Sequence, residues 1–165
     1  MRFVFVLLLM QATLVEVHGQ QYVLPNEEQV FSFKTGNGKI AVLCKDKKDQ
    51  YLVYRFGTNK KPELVFPAST KSGWEAFRYS YYMRGGGPQN EGMDLNYVYF
   101  VSKGYKYVIY DTYHAVGGKR KVGVKVIDLQ TDKVTDIVGL VSSAKGNLTQ
   151  FRDNKRLLVT DELFD

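Results

Sequence analysis

Phe77-Arg-Tyr-Ser-Tyr-Tyr-Met83 and Leu95-Asn-Tyr-Val-Tyr-Phe100, joined through Arg84-Gly-Gly-Gly-Pro-Gln-Asn-Glu-Gly-Met-Asp94, decide how this chain folds. Both flanking runs are rich in the aromatic and β-branched residues that suit a pleated, half-buried surface. The glycine-rich stretch between them therefore reads as the loop of a long hairpin. Hairpins usually turn in about two to five residues, so the thirteen residues from Arg84 to Asn96 mark a functional or mobile loop.

The same alternation extends in both directions. Gln29–Phe33, Lys39–Cys44, Gln50–Phe56 and Pro62–Phe66 form four strand-like runs separated by Gly, Asn and Asp clusters, the pattern of an antiparallel meander. Beyond the hairpin, Tyr105–Tyr113, Val122–Ile127 and Lys133–Val138 continue it. After Gly139 the pattern weakens to two or three short strands, or a strand and a helical turn. No segment sustains a helical period. The fold class is all-β, an antiparallel β-sandwich or barrel of about nine or ten strands.

Residues 1–19 differ from the rest, with Arg2, an apolar run Phe3–Met10 and a polar stretch ending Val17-His18-Gly19. This is the form of a cleavable signal peptide, and the run is shorter than the roughly twenty residues that span a bilayer. The expectation is a secreted or periplasmic protein with one all-β domain over residues 20–165 and no transmembrane segment after cleavage. Gln20–Glu28 lacks a period and reads as a loosely held arm. The net charge of +6 survives cleavage, because Arg2 and Glu16 cancel. It is spread along the sequence and favours an anionic surface without marking a nucleic-acid binder. Lys119-Arg120-Lys121, after a Gly-Gly pair, reads as a solvated hairpin tip or, alternatively, as a contact for an acidic partner or anionic envelope surface, and Asn147-Leu148-Thr149 as a formal glycosylation acceptor in a eukaryotic host.

Catalytic constellations are scarce. Cys44 is the only cysteine and lies in register with Ile40 and Val42, as a buried structural thiol would. His114 is the only histidine outside the leader, and no metal-ligand, nucleophile or phosphate-loop motif is present. No cofactor is implied.

The central loop admits three readings. Gly85, Gly86 and Gly87 beside Arg84 could present backbone N–H groups to an anion. Asn90, Glu91, Asp94 and Asn96 could surround a calcium ion, although their spacing does not match an EF-hand. Alternatively, the loop satisfies its own backbone, with Arg84 paired to Glu91 or Asp94. Alternation places Phe77, Tyr79, Tyr81 and Met83 on one face, where Tyr97 and Tyr99 would join them across the hairpin as an aromatic patch.

Tyr54-Arg-Phe-Gly57, Arg84-Gly-Gly-Gly87 and Gly92-Met-Asp-Leu-Asn-Tyr97 resemble small exported bacterial β-proteins of uncharacterised function. Exported bacterial β-domains of this size include lysozyme inhibitors, whose inhibitory loop carries a Ser-Gly pair followed closely by tyrosine; here Ser72-Gly73 precedes Trp74. The expected function is non-enzymatic binding of an unidentified protein partner through residues 84–96, with Gln89 among the contacts; inhibition or neutralisation is one form of it. The alternative is an envelope-glycan module built on the tyrosine face. A third possibility, a hydrolase using Glu91 and Asp94, would need two carboxylates held apart in separated environments.

Overall fold

The computed structural model describes residues 22–70 and 73–164, so the leader expected over residues 1–19 lies outside the described residues. The protein is all-β, with its strands in two sheets. β1 (Glu27–Lys34), β2 (Ile40–Asp46), β3 (Leu52–Gly57) and β4 (Pro62–Phe66) form the expected meander. β5 (Arg78–Arg84), β6 (Met93–Ser102), β7 (Tyr105–His114), β8 (Lys119–Asp128) and β9 (Val134–Val138) follow in a second meander. Two short strands complete the set, β10 (Lys145–Gly146) on the outer edge of β1 and β11 (Leu158–Thr160) beside β5. The orders are β10-β1-β2-β3-β4 and β11-β5-β6-β7-β8-β9.

The weakly patterned stretch after Gly139 thus holds two short strands and two 3-10 turns, Val141–Ser143 and Thr149–Phe151. It also departs from a purely antiparallel plan, because β11 pairs with β5 in parallel. The cause is topological. Residues 139–157 cross from the β9 edge to the β5 edge, and a crossover of this length delivers a strand in the parallel sense. On the way the chain bridges Gly139 to Thr35 and pairs β10 with β1, tying the sheets together.

One face of each sheet supplies the main core. Phe31, Phe33, Leu43, Leu52 and Tyr54 meet Phe77, Tyr79, Val98, Phe100, Ile109 and Val124, while the crossover adds Leu148, Phe151 and Leu157. Phe66 stacks on Phe100 at 3.9 Å between centroids. Such an aromatic interior stabilises the fold by area burial and by offset or edge contacts.

From Tyr22 onward the opening arm is held firmly, contrary to the loose arm expected. Arg55 and Glu27 form a bidentate ion pair (Nη1–Oε2 2.6 Å, Nη2–Oε1 2.8 Å), with both side chains buried on the outward face of the first sheet. Arg55 also donates to the Tyr22 carbonyl (3.0 Å), and the Tyr22 hydroxyl donates to the Thr58 carbonyl (2.6 Å). Tyr22 and Val23 thereby cover Val42, Cys44, Tyr51 and Val53.

Candidate functional site

The β5–β6 hairpin puts its loop at one end of the second sheet. Arg84 pairs with Met93, Met93 with His114, and His114 with Lys119, so the β7–β8 turn lies at the same end. The Ala115 N–H donates to the Gly92 carbonyl (2.8 Å) and joins the two tips.

The loop closes on itself. Arg84 Nε donates to the Glu91 carbonyl (3.2 Å), and its Nη2 lies 3.4 Å from Glu91 Oε2. Asn90 Nδ2 donates to the Gly85 carbonyl (2.8 Å), and the Gly92 N–H to the Gly87 carbonyl (2.7 Å). Pro88, Gln89 and Asn90 form a 3-10 turn with all three exposed. Gly86 and Gly87 both take positive φ, 94° and 65°, and the Gly87 carbonyl accepts from the N–H groups of both Asn90 and Gly92. The four oxygen-bearing residues of the calcium reading do not converge. Asn90 and Glu91 bind loop atoms, while Asp94 and Asn96 lie on the inward face of β6 against Arg152. Glu91 and Asp94 each face their own guanidinium, Arg84 and Arg152.

The tyrosine patch is split by register. Tyr79 pairs with Val98 and Tyr81 with Asn96, so Tyr97 and Tyr99 point to the opposite face of the sheet. Tyr79, Tyr97 and Tyr99 are 0%, 0% and 7% exposed, which corrects the expectation of one shared aromatic face. Tyr81, at 39%, is the one expected site tyrosine that reaches solvent.

In place of that platform the structure assembles a polar cleft on the inward face, beyond the apolar core. Two cross-strand rows build it, Tyr81–Asn96–Asp111–Val122 and Met83–Asp94–Tyr113–Arg120. Asn96 is its hub. Its Oδ1 accepts from Tyr79 Oη (2.7 Å) and Arg152 Nη2 (3.0 Å), and its Nδ2 donates to Asp94 Oδ1 (2.6 Å). Arg152 also pairs with Asp94, lies over the Tyr81 ring at 5.2 Å, and reaches Met83 Sδ at 3.6 Å. Arg120 holds Asp111 with two bonds (Nε–Oδ1 2.8 Å, Nη2–Oδ2 3.0 Å). The loop Gly146-Asn147-Leu148-Thr149 walls the other side of a cavity of about 320 Å³, placing the formal glycosylation acceptor in its lining.

Electrostatics matches this geometry. Burial pushes the Tyr79 hydroxyl up to about 12, against the opposing pull of Arg152. Burial alone would lower Arg152, yet the Asp94 charge and the hydrogen bonds of Tyr79 and Asp94 hold it above its ordinary value. Arg120 is raised chiefly by its bonds to Asp111. The cleft is thus a pair of compensated ion pairs that fixes Tyr81 beneath a guanidinium.

Cys44 is buried with its thiol 3.6 Å from the Tyr22 carbonyl, and burial pushes it up to about 12. Folded protein is therefore expected to resist iodoacetamide at pH 8, with alkylation appearing only in denaturant, as read by intact mass.

Sequence reasoning passed over Arg152, Asp111 and Tyr113, and placed Arg120 in a hairpin tip. Arg152 sits 58 residues from Asp94 in a stretch with no period, so nothing local announces it. β8 begins at Lys119, ahead of the run read from the sequence at Val122, and alternation turns Arg120 inward between two outward lysines. The solvated-tip reading of Lys119-Arg120-Lys121 is corrected at Arg120 alone, since Lys119 and Lys121 are exposed.

No protein family, no curated protein and no solved structure matches this chain.

Proposed function

We propose that this is an exported, non-enzymatic β-sandwich protein that binds a protein partner through the hairpin end of its six-stranded sheet. The observation that carries the reading is an exposed row of large side chains on a fixed base. Tyr81, Met83 and Tyr113 are 39%, 62% and 44% exposed on one face, with Val116 exposed in the adjoining β7–β8 turn. Tyrosine, methionine and arginine are the residue types enriched at protein interfaces. Tyr81 stacks on buried Tyr79 at 5.6 Å and carries Arg152 above it, so little rotamer freedom remains for it to lose on binding. The 84–92 loop forms the rim through Arg84, Gln89 and Glu91, and inhibition or neutralisation of an enzyme is the role such a surface suits. The secreted or periplasmic location rests on the character of residues 1–19. A glycan platform on the expected tyrosine patch is less well supported, since Tyr79, Tyr97 and Tyr99 are buried and Tyr81 alone of that patch reaches solvent.

Immobilised protein should retain a specific partner from envelope and secreted fractions, identified by mass spectrometry. Tyr81→Ala is expected to weaken that partner by roughly tenfold or more, as truncating a central aromatic anchor commonly costs about 2 kcal/mol. Arg84→Ala/Glu91→Ala should weaken it less. Equal retention by wild type and Tyr81→Ala, with both folded by circular dichroism, would overturn the assignment of this surface.

A further inference from the structure

The outward face of the six-stranded sheet collects the chain's positive charge. Alternation along β5–β8 turns Arg78, Arg84, Lys106, Lys119, Lys121 and Lys125 to this side, and Asp136 on β9 is the one carboxylate that the five strands β5–β9 place there. Part of this surface already holds an acidic peptide, the chain's own segment after β11. Glu162 pairs with Lys106, and the Phe164 carbonyl accepts from Lys125. The Phe164 ring packs edge-on against Tyr97 (5.3 Å) and Tyr99 (5.1 Å), with Lys106 5.4 Å above it. At the near end of the segment, Tyr99 Oη and Thr160 Oγ1 share a hydrogen bond (2.9 Å).

Beyond Phe164 the same track runs on into an open hollow of about 270 Å³. Tyr97 and Lys125 are common to socket and hollow, and Tyr110, Thr112, His114, Lys121 and Asp136 line the rest, with Asp136 already accepting from the Tyr110 hydroxyl (3.0 Å). Lys121 is exposed. An ammonium beside a partly enclosed, aromatic-floored recess attracts an anion more strongly than one in bulk water.

We propose that this hollow is a docking site for an acidic peptide segment of a partner protein, with a carboxylate received by Lys121 and Lys125. Lys121 and Lys125 outnumber the single carboxylate Asp136 in its lining, and this excess of positive charge favours an anion there. Continuity with the Asp161–Phe164 segment selects a peptide over a polysaccharide, because the adjoining surface already receives a carboxylate, a phenyl ring and a backbone carbonyl from one peptide strand. The site lies on the opposite face from Tyr81, Met83 and Tyr113, so it is independent of the surface assigned above.

The test is a fluorescence-polarisation titration of the full chain with a labelled Glu-Glu-Phe-Glu-Glu peptide, a Lys-Lys-Phe-Lys-Lys peptide serving as control. Saturable binding of the acidic peptide alone is expected, falling steeply as salt rises from about 50 mM to about 500 mM. Lys121→Glu should weaken it by roughly tenfold and Lys121→Gln by less. Lys60→Glu in the β3–β4 turn should leave it unchanged. Absence of saturable binding, equal affinity for Lys121→Glu, or binding of heparin in place of the peptide would each overturn the proposal.

Discussion

Arg55→Ala is expected to destabilise the protein by about 3–5 kcal/mol, the usual result of stripping one partner from a buried ion pair. The cost lies chiefly in what is left behind. Glu27 would remain buried with only the Leu24 N–H and the Tyr51 hydroxyl to satisfy its two oxygens (2.9 and 3.1 Å). The arm would also lose the Arg55 bond to the Tyr22 carbonyl, uncovering Val42, Cys44 and Val53. With urea slopes of about 1–3 kcal/mol per molar, the unfolding midpoint should fall by roughly 2 M. An apolar exchange of both partners, Glu27→Leu with Arg55→Met, should be milder than either single change, because no charge is stranded. The pair also sets an acid limit. Burial by itself would raise the Glu27 carboxyl, yet the Arg55 hydrogen bonds, the Leu24 N–H, the Arg55 charge and the Tyr51 hydroxyl outweigh it and hold the group below its ordinary value. A carboxyl lowered on folding contributes stability that is complete above its unfolded value, about 4.3, and is lost as pH falls through the lower folded value. Urea midpoints of wild type should therefore decline below about pH 5 more steeply than those of Glu27→Gln.

Such a pair shows where sequence reading succeeds and where it stops. Strand alternation is local, so the two meanders were legible from β1 to β9, turn residues included. Register is not local. The loop after Arg84 sets Tyr79 against Val98, and a one-residue difference decides whether Tyr97 and Tyr99 join Tyr79 or face away from it. Charge behaves similarly. Arg78, Lys106, Lys121 and Lys125 are scattered along the chain, and strand pairing brings them to one face. The cleft depends on Arg152, delivered by a crossover with no period of its own, and the arm on a pair 28 residues apart. In each case the missing information was which distant backbone lay alongside.

Gly146→Ala is expected to cost on the order of 3 kcal/mol, and its effect should reach the surface proposed for partner binding. Gly146 holds φ at +73°, where a Cβ is disfavoured by roughly 1–2 kcal/mol, and that Cβ would come 2.0 Å from the Val30 carbonyl oxygen. Neither contact can yield cheaply. Val30 O is backbone in the bulged part of β1, and Gly146 is half of a two-residue strand whose partner is Phe31. The easiest relief is for β10 to leave β1, which loosens the segment carrying Leu148, Phe151 and Arg152 over the core. Trp74, the only tryptophan, packs edge-on against Phe151 at 6.3 Å and donates from Nε1 to the Asp49 carbonyl (2.9 Å). Its emission should therefore shift to longer wavelength and become easier to quench in Gly146→Ala, below the global unfolding transition. Arg152 would lose its place over Tyr81 in the same step, so partner retention should fall although no residue of the exposed row has changed. If Trp74 emission and partner retention both match wild type, β10 does not fix the cleft, and Arg152 must be held by Asp94 and Asn96 alone.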